Sequence, residues 1–243
     1  MIRMVRQLHL AVACFGVAIV AFGSAHLASA RRLPAGPVAP AAPAASCTSA
    51  TYAYAGLFSD RAGTGIEATV TMLAHSVVTR GHVAGWIGVG GLNSGPQGKT
   101  EWLQAGVATT ADGKSAVYAE IVQAGLIPAY QALVSDVVPG KPYHLAVRTV
   151  PNSPEVWQVW LNGRPVTAAV KLPGSRKFEP MAMGESWNGG PPPTCNGFSY
   201  RFAQLKIASR DGVWSALTHA TPLANKGYKI IDRTVNGFVA RSG

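Results

Sequence analysis

From Thr51 to Arg241 the chain is a series of short runs rich in β-branched and aromatic residues, cut at regular intervals by Gly, Pro, Asn and Asp. The runs include "TYAYAGLF", "GIEATVTML", "HVAGWIGVG", "TEWLQAGVA", "SAVYAEIVQ", "YHLAVRTV", "EVWQVWLNG", "EPMAMGESW", "FSYRFAQLKIA", "GYKIIDRTV" and "GFVAR". Turn residues such as "DGK", "PGKP" and "LNGRP" separate them, which predicts an all-β sandwich or jelly roll. No stretch sustains a 3.6-residue period with caps, so little helix is expected. In "EVWQVWLNG", Val156, Gln158 and Trp160 share one face while Trp157, Val159 and Leu161 share the other. Both faces are largely apolar, which predicts a strand packed against a second sheet and lined by a groove on its other side. "LNGRPV" reads as a tight hairpin, with Asn162-Gly163 supplying the positive φ angles of a primed turn.

Three polar residues interrupt these apolar runs: Gln104 in "EWLQAG", Glu120 in "VYAEIV" and Glu185 in "MAMGESW". An acid flanked by large apolar residues is partly desolvated, which raises its pKa and makes it a candidate for acid–base chemistry. A paired structural acid is the alternative. If "DG" at 112–113 formed a plain two-residue turn, Gln104 would pair with Ile121 and face away from Glu120. A loop one residue different would set Gln104 level with Glu120. In either register Trp102, Gln104 and Gly106 share a face, where a glycine would leave room for a substrate strand.

The ends of the chain add an address. Arg3 and Arg6, the apolar run "LHLAVACFGVAIVAFG" and then Ala28-Ser29-Ala30 read as an export signal over 1–30, cleaved before Arg31. Residues 31–46, rich in Pro and Ala, read as a semi-rigid linker, and 47–243 as one domain. A secreted, extracellular protein with no membrane contact after cleavage is expected. Cys14 leaves with the signal, so Cys47 and Cys195 remain as an even pair in an oxidising compartment, which predicts a disulfide. Without the signal, nineteen Lys and Arg stand against eleven Asp and Glu, a net charge of +8. These cations are scattered singly rather than set in a basic stripe, so nucleic acid is not an expected partner.

Several chemistries lack their signatures. There is no G-x-S-x-G elbow, H-E-x-x-H pair or phosphate-binding glycine loop. The six histidines are dispersed, and the carboxylates are grouped neither as metal ligands nor as the closely spaced acids of sandwich-fold glucanases. No metal and no cofactor are expected.

"GWIGVGG" (85–91), "LQAG" (103–106) and "YAE" (118–120) together resemble the glutamic peptidases called eqolisins. These are secreted acid endopeptidases with a concanavalin A-like double-sheet fold. The resemblance spans most of the mature domain, with the block from 85 to 120 as its specific part. It implies Trp86 as the family's strand tryptophan, Gln104 as the catalytic glutamine and Glu120 as a further acid of the active-site region. "MAMGESW" sits where the family's catalytic Glu ends a strand, which implies Glu185; a slid alignment leaves Glu179 as the other acid. Tyr54 stands in for a usual Trp as a substrate-binding residue, and Gly90 replaces a usual Asp. The resemblance also implies the register that brings Gln104 level with Glu120, both facing one groove. The implied reaction is hydrolysis of a polypeptide in acid, with Glu as base and acid on a water and the Gln amide donating to the oxyanion. A monomer is expected. The competing reading is a non-catalytic sandwich binding glycan or cell-wall polysaccharide on Trp157, Trp160, Trp187 and Tyr200. A purely structural domain is the third.

Overall fold

The computed structural model describes residues 41–48, 50–189 and 193–243. In chain order its strands begin β1 (Ser46–Thr48), β2 (Tyr52–Ser59), β3 (Gly65–Met72), β4 (His82–Gly91), β5 (Glu101–Thr110), β6 (Ser115–Val122), β7 (Ala129–Ser135), β8 (Pro142–Val150) and β9 (Ser153–Leu161). They continue with β10 (Arg164–Pro165), β11 (Val170–Lys171), β12 (Met181–Trp187), β13 (Thr194–Asn196), β14 (Ser199–Ala208), β15 (Trp214–Ala216), β16 (Ala220–Ala224), β17 (Tyr228–Thr234) and β18 (Gly237–Ser242). Among the described residues, helix is confined to two 3-10 turns, Pro96–Gly98 and Ser175–Lys177.

Two antiparallel sheets form the sandwich. One has seven strands in the order β16-β2-β12-β4-β5-β6-β7, and the other runs β10-β9-β8-β3-β14-β18-β17, with β11 and β15 added to β9 and β14. Alternation along each strand puts one set of side chains between the sheets. Leu57, Val83, Ile87, Leu103, Val107 and Val117 come from the first sheet and Ile66, Leu145, Val147, Trp157, Phe202 and Phe238 from the second, all buried. Each such side chain, removed from water, contributes about 1.5–3 kcal/mol.

The eleven long runs all appear as strands. The strand β7 has no counterpart in the pattern, because "AYQALVS" lies at a sheet edge with most of its residues exposed and needs no alternation. The edge strand β16 accommodates Pro222, which cannot donate to a ladder. The primed turn after β9 is present, with Asn162 at φ 50° and Gly163 at φ 79°.

The β5–β6 hairpin closes through Thr110 N–H donating to the Lys114 carbonyl at 3.0 Å and Gly113 N–H donating to the Thr110 carbonyl at 2.9 Å. Three residues, Ala111 to Gly113, therefore form the loop, and Gly113 takes the left-handed conformation (φ 79°) that such loops place last. The odd loop decides the register. Gln104 stands directly opposite Glu120, not Ile121.

The groove expected along β9 is not there. That strand lies in the other sheet, where the outward Trp160 ring is covered by the Arg148 guanidinium, 3.9 Å from its centre. Trp157, on the opposite face, is core.

Cys47 and Cys195 are disulfide-bonded and face one another across β1 and β13. Chain packing begins slightly before Cys47: Ser46 starts β1, and the Ser242 hydroxyl donates to the Ala44 carbonyl at 2.6 Å. The signal over 1–30 and most of the 31–46 linker lie outside the described residues. Among those described, no helix is long and apolar enough to cross a membrane. The disulfide closes a separation of 148 residues, long enough for a large entropic effect on the unfolded chain. The Cys47→Ser, Cys195→Ser double variant should lose about 2–5 kcal/mol of unfolding free energy in urea titrations; an unchanged midpoint would mean that other contacts already restrain the two ends.

Candidate active site

The outer face of the seven-stranded sheet carries the embedded polar residues. Pairing places Glu185 of β12 between Tyr54 of β2 and Ala84 of β4, and places Gln104 of β5 between Gly88 of β4 and Glu120 of β6. Four residues of β4 thus separate the two cross-strand rows, roughly 13 Å of strand rise. The two rows open onto one cleft. Gln104, Glu120, Glu185, Trp86 and Tyr54 all line one cleft of about 350 Å³, together with His82, Tyr52, Trp102 and an apolar wall of Met181, Met183 and Leu223.

Glu185 is 6% exposed, and both its oxygens are occupied. Trp86 Nε1 donates to Oε2 at 3.0 Å, and His82 Nε2 lies 3.1 Å from Oε1. His82 itself keeps 30% of its side chain exposed and packs its ring against Trp187, with 5.1 Å between centres. Gly106 lies close against β4: a Cβ there would come within 2.4 Å of the Gly85 carbonyl oxygen and 2.6 Å of the Trp86 Cβ. The missing Cβ at Gly106 thus serves the close approach of β4, and Gly106 itself does not line the cleft.

The Gln104 amide donates to both Tyr118 Oη, at 3.2 Å, and Glu120 Oε2, at 3.1 Å. Burial pushes the Glu120 pKa up, the Glu185 charge adds to the rise, and His82 and the Gln104 hydrogen bond oppose it. Burial also raises Tyr118 and Tyr54, again with Glu185 contributing, so both hydroxyls stay neutral. The Glu185 charge acts on both partners of the Gln104 amide, Glu120 and Tyr118.

Glu179, the acid left by a slid alignment, is exposed and does not line the cleft. Gly90 takes φ 86°, and a Cβ there would meet the Glu101 carbonyl at 2.2 Å, so this backbone does not admit the aspartate found at that position in the eqolisin pattern. Of the aromatic residues considered as glycan platforms, Trp157 and Tyr200 are fully buried between the sheets and present no face to a ligand. Trp187 alone of the four lies beside the cleft, against His82 and Tyr52. Among the described residues, no group of three or more His, Cys, Asp or Glu is placed to hold a metal ion.

Sequence reasoning missed His82 and Tyr118. The signal was present in the period of two: His82 lies four residues before Trp86 and Tyr118 two before Glu120, each on the same strand face as the residue already singled out.

No protein-family model matches the chain, and no curated protein matches it in sequence. Solved structures match its fold. The fold is similar to that of scytalido-glutamic peptidase. A complex of that enzyme with a transition-state analogue inhibitor aligns over 81% of this chain and 99% of its own, with a TM-score of 0.55 and 14% identity. A second, with a peptide-based transition-state analogue, aligns over 81% and 98% with a TM-score of 0.51, also at 14% identity. At that identity the likeness is one of fold, a double-sheet all-β sandwich.

The raised Glu120 pKa has a stability consequence with a definite sign. A carboxyl whose folded pKa lies above its unfolded value contributes stability that is fully present below the unfolded value, about 4.3 for Glu, and is lost as pH rises through the folded one. Glu120→Gln removes that loss. In urea unfolding, the stability of Glu120→Gln relative to wild type should be higher at pH 7 than at pH 3.5, and an equal difference at both would contradict the electrostatic account of this residue.

Proposed function

We propose that the protein is a secreted endopeptidase that hydrolyses polypeptides in acid, with Glu185 and Gln104 as its catalytic pair. The observation that carries this reading is a nearly buried carboxylate, held at both oxygens by ring nitrogens, sharing a cleft and an electrostatic field with a fixed amide donor. The likeness of fold to a glutamic peptidase supports it. Secretion rests on the signal-like residues 1–30 and agrees with the Cys47–Cys195 disulfide.

Glu185 takes a proton from a water as its oxygen bonds to the peptide carbonyl carbon. The carbonyl oxygen becomes an oxyanion and accepts an N–H from Gln104. Glu185 then passes the proton to the leaving nitrogen as the C–N bond breaks, which restores the carboxylate and yields an acid and an amine. An amide does not titrate, so Gln104 donates at any pH. At rest, though, both its N–H groups are engaged, and the substrate must displace one acceptor. A carboxylate holds an N–H more strongly than a neutral carboxyl does. Protonation of Glu120 therefore loosens its claim on Gln104, which favours activity in acid. Met181, Met183, Leu223 and the paired Tyr52 and Tyr54 rings would receive an apolar substrate side chain.

Glycan binding is the weaker reading, because the burial of Trp157 and Tyr200 removes half of the platform it needs. Incubation of the mature protein with denatured protein between about pH 2 and 5, where carboxyl groups change ionisation, tests the choice. Wild type should cleave, Gln104→Ala should be slower by about 10²–10³-fold, and Glu185→Gln should be inactive. Cleavage surviving both substitutions would reject the assignment, and saccharide retention without peptide turnover would favour the sandwich as a binding module.

A further inference from the structure

A base that works in acid has to stay ionised where most carboxyls are protonated, and burial opposes this by penalising the charged form. Glu185 is 6% exposed. Its Trp86 partner supplies a neutral N–H, so Trp86 fixes the carboxylate without balancing its charge. Its other partner is different in kind. His82 Nε2 lies 3.1 Å from Oε1, and an imidazole is the one neighbour of this carboxylate, among the described residues, that can take up a proton and become a cation.

The other titratable groups around His82 supply no competing cation. Glu185 faces it from β12, Tyr52 and Tyr54 come from β2, and Glu120 and Tyr118 come from β6. The tyrosines are neutral in acid, since burial raises them further above their ordinary range. Arg80 lies two residues before His82, on the exposed approach to the strand. Among the described residues that line the cleft, His82 is thus the group able to set a positive charge against the buried acid.

We propose that His82 is a positioning residue that keeps Glu185 ionised in acid by acting as its counter-charge. This deepens the peptidase reading and rests on it. In this proposal the resting pair holds one proton, on the imidazole. Taking a proton from water raises the pair's count to two, and delivering one to the leaving nitrogen returns it to one, so His82 ends each cycle as it began. The partial exposure of its ring lets it exchange protons with solvent while Glu185 remains shielded. The influence of His82 reaches further into the cleft, where it also opposes the rise in the Glu120 pKa.

Two substitutions separate charge from hydrogen bonding. His82→Gln keeps an N–H donor for Oε1 without a charge, and His82→Ala removes both. Measured as kcat/KM against pH, the acid limb should move up by about one pH unit in both variants, a tenfold loss near pH 3, as expected when a carboxylate loses an adjacent cation. Rates that fall only in His82→Ala, with His82→Gln restored to the wild-type profile, would reduce His82 to a hydrogen-bond donor and overturn the proposal. Superimposable profiles for all three proteins would overturn it too. If wild type cleaves no peptide at any pH, the peptidase reading fails separately, and the proposal is then decided by carboxyl ¹³C shifts of glutamate-labelled protein. At about pH 4 the Glu185 signal, assigned by its absence in Glu185→Gln, should show a carboxylate in wild type and move toward the protonated form in His82→Gln; identical shifts would refute the counter-charge.

Discussion

A carboxylate withdrawn from water is tolerated only where donors replace the lost solvent, and this constraint organises the cleft around Glu185. Its two oxygens meet Trp86 Nε1 and His82 Nε2, two side chains from one strand face, four residues apart on β4. The adjoining strand yields to that arrangement. Gly106 has no side chain because the Gly85 carbonyl and the Cα and Cβ of Trp86 occupy its space. A change at Gly106 would therefore reach Glu185 through the tryptophan, without touching the acid itself. The packing of a small hydrophobic cluster on the outer sheet face, Ala84, Trp86, Ala108, Tyr118 and Met183, is in this sense part of what holds Glu185 in place.

A second constraint is topological. Side chains on a strand alternate faces, so an even or an odd hairpin loop decides which residues across a ladder can meet. The three-residue loop Ala111 to Gly113 places Gln104 against Glu120, and the amide then finds Tyr118 Oη on the same strand face. With a two-residue loop the pairing would shift to Ile121 and the amide would lose its carboxylate partner. A turn some 20 Å away along the hairpin, by strand rise, thus determines the hydrogen bonding of the candidate oxyanion donor.

Much of the sandwich was legible in the sequence, since a half-buried strand announces itself by alternation and its ends by turn residues. The strand β7 was not, because an exposed edge needs no apolar face, and the groove was assigned to the wrong sheet, because both faces of "EVWQVWLNG" are largely apolar. Arg148 covering Trp160 is a contact between neighbouring strands that one strand's pattern cannot show. At the site, Gln104, Glu120 and Glu185 stood out as polar interruptions of apolar runs. His82 did not, because a histidine at the start of a strand reads as surface until its diagonal relation to a glutamate a hundred residues later is known. The choice between Glu185 and Glu179 likewise depended on where β12 begins, since Glu179 lies before the strand, exposed and outside the cleft.

The central claim is that Gln104 and Glu185 act on the same peptide bond although their rows are offset along β4. A crystal structure with a peptide carrying a non-hydrolysable tetrahedral centre tests this most directly. One oxygen of that centre should lie about 2.7–3.1 Å from Gln104 Nε2, with the other within hydrogen-bond reach of the Glu185 carboxylate. A peptide bound in the cleft with its tetrahedral oxygens contacting only one of the two residues, or neither, would contradict the account.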